Sequence, residues 1–228
     1  MILLDNISIY RPGSNRQDFI LHDQTTCFSD QTRVGILAPP GSGRTTLARL
    51  LCGIQPPDLG KILVEGSVSW PIGYAGLFHP HLTLASNIGY IAKLTCTERA
   101  EIEAITSWMC EDDAIFSRTV SSFTPGERGL VAFAVSLAVP TDFYIADEKI
   151  MISDPNAVPR AERLLRERLE GRGLIFISRN AKQLDTWCDI QKVLISGKLI
   201  DCPDAQIGQK MLDLAAQSHI ERSSHDAK

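Results

Sequence analysis

A glycine-rich segment, APPGSGRTT at 38–46, lies between the apolar run RVGILA and the stretch TTLARLLCG. This order predicts a buried strand, a loop and a helix that stops at Gly53. Gly41 and Gly43 allow close backbone approach, so the loop N–H groups and the helix N-terminus can bind a phosphate chain. The hydroxyl of Thr45 stands where it can bind Mg²⁺. Taken alone, the segment also fits a simple glycine turn that caps a helix.

A pair of acids ends a second apolar run, DFYIADE at 142–148. Asp147 at a strand end can hold Mg²⁺ through water, while Glu148 polarises an attacking water. Such a pair has low specificity by itself. Its order in the chain is more informative, because SSFTPGERG places Gly126 upstream and ISDP places Asp154 downstream.

Strands alternate with helices over most of the chain, which predicts an α/β fold with a mainly parallel sheet. The N-terminal runs ILLDNISIY and FILHDQTTCFSD predict an antiparallel β edge joined by the turn RPGSNRQD. Helical patterning from Ala85 to Cys110 includes the acidic helix ERAEIEAITSWMC. Together with the following SFTPGERGLVAFAVSLA, it predicts a helical insert at about 85–135. A tail at about 203–228, with the polar end ERSSHDAK, is expected to fray at its last residues.

Composition limits the remaining classes. The chain has 228 residues, of which 44% are hydrophobic and 22% charged, and a net charge of −4. These values predict one folded domain spanning 1–228 and argue against a nucleic-acid partner. Six cysteines without paired spacing argue against a zinc site or a disulfide framework. The HPH triplet at 79–81 is a weak metal candidate, since no third ligand is close in sequence.

The combined order of motifs resembles the ATP-binding cassette (ABC) family, and within it the ATPase subunits of exporters for capsular polysaccharide and related surface glycans. The narrower resemblance depends on SVSWPIGYAGLFHPHLTLASNIGYIAKL at 67–94. It implies a P-loop NTPase core with an N-terminal antiparallel β subdomain and a helical insert. It also implies ATP and Mg²⁺ as ligands.

The resemblance assigns a role to each matched position. Tyr10 matches the aromatic residue that stacks on adenine, and Asp154 the acid of the loop at the dimer interface. Thr124 and Gly126 match the signature segment that contacts nucleotide on a partner subunit. Asp147 matches the Mg²⁺-supporting acid and Glu148 the catalytic base. The phosphate loop is matched by Ala38 to Thr46, including Pro40, Gly41, Ser42, Gly43, Arg44, Thr45 and Thr46, with Thr45 as a metal ligand.

Four positions depart from the family pattern. Arg44 replaces the phosphate-binding lysine and keeps charge but not shape. His79 replaces a glutamine that joins Mg²⁺ and water to the membrane partner, and imidazole suits a hard cation poorly. Arg179 replaces the switch histidine and cannot accept a proton. Pro125 removes a backbone N–H from the signature.

The resemblance implies a peripheral subunit on the cytoplasmic face of the inner (plasma) membrane, which uses MgATP to drive glycan export. Its partners would be an integral membrane permease and a second nucleotide-binding subunit, identical or not, arranged head to tail. The departures leave a second interpretation, an impaired regulatory or scaffolding subunit of such a transporter. A P-loop kinase is a weaker third one.

A docking groove for the permease is expected at Tyr74, Phe78 and Leu82. The alternative is that these side chains form the core of the helical insert.

Overall fold

The structure, a computed structural model, describes residues 1–11 and 18–225. Most of the predicted turn RPGSNRQD and the last three residues of the polar tail lie outside the described residues. The described chain contains two β-sheets with helices on the larger one. No helix within the described ranges is long and apolar enough to cross a bilayer.

The smaller sheet is antiparallel and has the strand order β2-β1-β4. β1 (Ile2–Tyr10) pairs with β2 (Phe19–Phe28) on one side and with β4 (Leu59–Val64) on the other. One face of β1 and β2 buries apolar side chains against the larger sheet. The predicted antiparallel β edge is therefore confirmed.

The larger sheet has six strands in the order β5-β6-β7-β3-β8-β9. Every neighbouring pair is parallel except the hairpin β8–β9. The near-continuous apolar runs of the central strands are typical of parallel strands buried on both faces, so the predicted mainly parallel sheet is confirmed. The strands are β3 (Arg33–Leu37), β5 (Val68–Pro71), β6 (Phe143–Asp147), β7 (Gly173–Ser178), β8 (Ile190–Ile195) and β9 (Lys198–Cys202).

Seven α-helices occur in the described residues. Three of them lie between β5 and β6, namely α2 (Leu84–Thr95), α3 (Arg99–Cys110) and α4 (Pro125–Ala138). The others are α1 (Arg44–Leu51), α5 (Val158–Leu169), α6 (Ala181–Trp187) and α7 (Ala205–His225).

The stretch predicted as helical from Ala85 to Cys110 is two helices. Cys96 has φ +53° and its N–H donates to the carbonyl of Ala92, so α2 ends in a left-handed cap.

A separate apolar cluster stabilises α2, α3 and α4, and Phe78 belongs to it. Phe78 is only 6% exposed. The expectation that Phe78 lines an open groove is therefore wrong, because its ring packs among the helices. Tyr74, by contrast, is 49% exposed.

Helix α4 begins at a capping box. The Thr124 hydroxyl accepts a hydrogen bond from the N–H of Glu127, and the Glu127 carboxylate accepts one from the N–H of Thr124. Arg118 donates to both carboxylate oxygens of Glu127. The Arg118 hydrogen bonds and the Thr124 N–H lower the pKa of Glu127 from 4.5 to about 2.

This shift predicts a pH-dependent contribution to stability. Because the pKa of Glu127 is lowered on folding, its charge stabilises the fold fully above about pH 5 and loses that effect as the pH falls toward 2. We expect Glu127→Gln to lower the melting temperature at pH 7 and to differ progressively less from the wild type down to pH 3.5. Calorimetric scans across that range measure the difference.

The control is Glu103→Gln, which removes an exposed i,i+4 pair with Arg99 and should change stability little at any pH. If the difference in melting temperature between Glu127→Gln and the wild type stays constant with pH, the charge of Glu127 is not what stabilises the fold.

Candidate functional site

The glycine loop connects β3 to α1 and requires its glycines at two points. Gly41 has φ +78° and Gly43 has φ +95°, a region that residues with a Cβ rarely adopt. A Cβ on Gly43 would also lie 2.6 Å from a side-chain carbon of Ile20 on β2. The loop therefore turns sharply against the smaller sheet, and Gly43 forms the N-cap of α1. The amides at this helix start are suited to an anion.

Strand order brings the predicted acids to this loop. β6 and β3 flank β7, and all three strands run parallel. Their carboxyl ends share one edge, so Asp147, Arg179 and the glycine loop meet there. Thr45 Oγ1 donates a hydrogen bond of 2.9 Å to Asp147 Oδ2. The two predicted metal ligands are therefore in direct contact across 102 residues of sequence.

Glu148 lies in a strained turn that directs its carboxylate at two guanidinium groups. It has φ +62°, and the N–H of Lys149 donates to the carbonyl of Asp147 at 2.7 Å. The N–H of Glu148 donates to the carbonyl of Ile177 on β7, which fixes the turn to the sheet. Such strain persists where the surrounding structure enforces it, which is frequent at functional sites.

Arg44 bridges the loop and the acid. Its Nη1 donates to the carbonyl of Ala38 at 2.9 Å, and its Nε lies 2.5 Å from Glu148 Oε1. Arg179 Nε lies 3.8 Å from Glu148 Oε2. The side chain of Arg44 is 17% exposed and that of Arg179 is 67% exposed. The two arginines at motif positions thus flank the same carboxylate.

Three buried oxygens at this edge have no hydrogen-bond partner among the described residues, namely Asp147 Oδ1, Ser42 Oγ and Glu148 Oε1. Glu148 Oε1 faces the charge of Arg44 without a hydrogen bond to it. A buried oxygen without a partner costs free energy unless a ligand, ion or water satisfies it. Together with the Thr45 hydroxyl, Asp147 Oδ1 and Ser42 Oγ form an all-oxygen donor set of the kind Mg²⁺ prefers. The residues present therefore fit a magnesium-bound phosphate chain.

Tyr10 ends β1 and packs on Phe19, with ring centroids 5.2 Å apart. Phe19 borders a cleft of about 770 Å³ whose walls include Pro40, Gly41 and Ser42. Phe19 therefore connects Tyr10 to the cleft beside the glycine loop.

His79 is exposed, and its contacts are with its own segment. Its N–H donates to Asn87 Oδ1, and its ring lies edge-on to that of His81. Asn87 donates in return to the carbonyls of His79, Leu82 and Thr83. Within the described chain, no hydrogen bond or ion pair joins His79 to the glycine loop.

The signature residues Thr124, Pro125 and Gly126 are exposed at the start of α4, and Asp154 is exposed before α5. The Asp154 carboxylate accepts a hydrogen bond from the N–H of Asn156. In the described residues, no hydrogen bond or ion pair links these four to the glycine loop. The site of one chain thus contains the loop, Asp147, Glu148 and Arg179, but not the signature.

Two supporting residues were not predicted. Arg11 donates from Nη1 to the carbonyl of Gly41 at 2.6 Å and pairs with Asp18, so it ties the loop to the smaller sheet. Asn87 holds the His79 segment. The contact of Arg11 joins positions 30 residues apart that only the fold brings together, whereas those of Asn87 are local, within eight residues of sequence.

Comparison with known proteins agrees with this geometry. A model of the ABC transporter family matches residues 21–151. The capsule polysaccharide export ATP-binding protein CtrD of Neisseria meningitidis serogroup B is 30% identical over 81% of this chain and 86% of its own length. The polysialic acid transport ATP-binding protein KpsT of Escherichia coli is 28% identical over 88% of this chain and 90% of its own length.

Solved structures share the fold. An ATP-binding subunit of an ABC transporter superposes with a TM-score of 0.73 at 17% identity, over 87% of this chain and 88% of that one. A dimeric ATP-binding cassette with ADP and phosphate also gives 0.73, at 16% identity over 87% and 96%. The family match over residues 21–151 and the similarity to CtrD show that the chain belongs to the ABC transporter family.

Proposed function

We propose that this chain is the nucleotide-binding subunit of an ABC exporter and couples MgATP to export of capsular or other surface polysaccharide. The observation that carries the proposal is the contact of Thr45 with Asp147 beside the glycine loop. The names of the relatives CtrD and KpsT support the polysaccharide class. In this proposal residues 1–228 form one nucleotide-binding domain that works peripherally at the cytoplasmic face of the inner membrane.

The proposed roles follow from the positions of the side chains. The amides of the loop through Thr46 bind phosphates, and Thr45 and Asp147 hold Mg²⁺. When bound, Mg²⁺ neutralises charge on the phosphates. Glu148 positions the attacking water and accepts its proton. Tyr10, with Phe19 behind it, offers an aromatic surface for the base.

Hydrolysis by this site is proposed to be slow. Arg44 brings a broad planar guanidinium where the family has the compact ammonium of lysine, so it keeps the charge but meets the phosphates in a different geometry. Arg179 brings a permanent cation where the family has histidine. Electrostatic stabilisation of a transferring phosphoryl group depends on placement, so these changes reduce the rate more than the binding.

A second subunit is proposed to complete each site. Thr124 and Gly126 are exposed at the N-terminus of α4 and do not contact the loop of their own chain. A head-to-tail dimer would place them against the nucleotide of the other copy. Each of the two sites in such a dimer would need both subunits.

Steady-state ATP hydrolysis tests this proposal. We expect the purified chain to bind MgATP and to hydrolyse it slowly, and Glu148→Gln to lower the rate about 100-fold or more because general-base catalysis is lost. Phosphate release measures the rate, and titration calorimetry measures binding. The matched control is Glu111→Gln, which also removes a carboxylate paired with an arginine and should leave the rate unchanged.

Two outcomes separate the alternatives. If the folded wild-type chain binds MgATP but does not hydrolyse it, Glu148→Gln has no activity to remove. That result would favour the interpretation as a regulatory or scaffolding subunit. A folded chain that does not bind ATP would contradict energy coupling altogether.

The surface proposed to bind the permease lies along α2. Tyr90 is 61% exposed and Leu94 is 83% exposed. They line a cleft of about 430 Å³ together with Leu77, His79 and Leu82. These two exposed apolar side chains border one cleft, and we propose that this patch is an interaction site. An amphipathic helix of the permease would fit this cleft.

Leu94→Asp tests this surface better than a change at the buried Phe78, which would disturb the core. We expect Leu94→Asp to reduce sedimentation of the subunit with membranes that contain its permease about 10-fold or more. A charge in an apolar contact is costly to desolvate. MgATP affinity of the isolated subunit should stay within twofold of the wild type.

The control is Leu214→Asp, which changes a leucine of α7 that is 66% exposed and does not line this cleft. If Leu94→Asp sediments as well as Leu214→Asp and the wild type, α2 is not the docking surface.

A further inference from the structure

We propose that Arg44 and Glu148 form a lock in the nucleotide-free subunit, which the phosphates of a bound nucleotide open by competing for the Arg44 guanidinium. This inference rests on the proposed nucleotide-binding function and goes beyond it. In this proposal Glu148 competes with the nucleotide for the Arg44 guanidinium, in addition to its proposed role as general base.

The shape of arginine makes the lock possible. Through Nη1 the guanidinium donates to the carbonyl of Ala38, and through Nε it faces Glu148 Oε1. One planar group thus joins the start of the loop to the acid at the end of β6. Lysine presents a single compact charge on a flexible stem and does not offer two fixed directions. The replacement at position 44 therefore creates a contact as well as retaining a charge.

The backbone holds the acid in place for this contact. Glu148 has φ +62°, and its N–H donates to Ile177 while the following N–H donates to Asp147. The Glu148 side chain is 32% exposed and that of Arg44 17% exposed. Both side chains are partly buried, so water screens this pair less than it screens a pair on the open surface.

In the locked arrangement neither the Glu148 carboxylate nor the Arg44 guanidinium is available to act on a nucleotide. Glu148 Oε1 faces a guanidinium in place of a water molecule, and the charge of Arg44 is compensated before any nucleotide arrives. Phosphate oxygens are strong partners for a guanidinium, because they accept charge-assisted hydrogen bonds in a matching geometry. A nucleotide in the glycine loop would therefore draw Arg44 away and expose the carboxylate. Arg179, 3.8 Å from Glu148 Oε2, remains as its second partner.

ADP binding by Glu148→Gln tests the lock without hydrolysis. A neutral amide competes weakly for Arg44, so we expect the dissociation constant for ADP to fall about 3- to 10-fold relative to the wild type. Titration calorimetry on dilute subunit measures it. ADP is chosen because it carries no γ-phosphate and cannot be turned over.

Glu111→Gln is a close control. Glu111 also has positive φ, at +52°, and also pairs with an arginine, Arg160, but it lies at the end of α3 away from the loop. We expect its ADP affinity to equal that of the wild type. An equal gain in Glu111→Gln and Glu148→Gln would contradict the lock.

A double-mutant cycle on the nucleotide-free subunit gives a readout that does not depend on binding. Urea unfolding of Arg44→Met, Glu148→Gln and the double variant should be non-additive, with the second change costing less once the first is made. Additive effects would contradict the lock.

The two hypotheses fail differently. If the wild type binds ADP and Glu148→Gln binds it equally or more weakly, the lock is wrong and the proposed function stands. If neither folded protein binds ADP or ATP, the proposed function fails and the lock with it.

Discussion

The parallel alignment of β6, β7 and β3 is the constraint on which the site depends. Because the three strands run in one direction, the glycine loop, Asp147 and Arg179 follow their carboxyl ends at one edge of the sheet. Residues separated by about a hundred positions then lie within hydrogen-bond distance, as Thr45 and Asp147 do. A shift of one residue in this register would turn Asp147 to the other face of its strand and remove the contact.

The charged side chains at that edge balance one another. Arg44 and Arg179 both lie beside Glu148, and Asp147 places a second carboxylate at the same edge. Two cations and two anions leave no net charge there, so the charged side chains alone do not attract a polyphosphate. In the proposed function the attraction for the phosphates comes from the loop amides, which depend on Gly41 and Gly43 and not on residue 44.

Local patterns were enough to predict most of the fold, because apolar runs and glycine stops mark buried strands and helix ends directly. The runs RVGILA, DFYIAD and GLIFIS became the adjacent strands β3, β6 and β7. The acidic helix ERAEIEAITSWMC is confirmed as α3. The break at Cys96 that separates it from α2 was not predicted, because a left-handed cap at a cysteine has no compositional signal. Phe78 was wrongly predicted to line an exposed groove. The sequence of residues 67–94 shows which side chains are apolar, but it does not show which of them the packed helices cover. The ion pair of Arg44 with Glu148 could not be predicted, since it depends on the backbone turn at Glu148.

A crystal structure of the subunit with ADP and Mg²⁺ tests the central claim most directly, that this edge binds the nucleotide phosphates. We predict phosphate density against the amides of residues 41–46, with the Arg44 guanidinium turned from Glu148 toward it. Nucleotide bound elsewhere would contradict binding of the phosphates at this edge, and nucleotide bound at the loop with Arg44 still paired to Glu148 would contradict the lock.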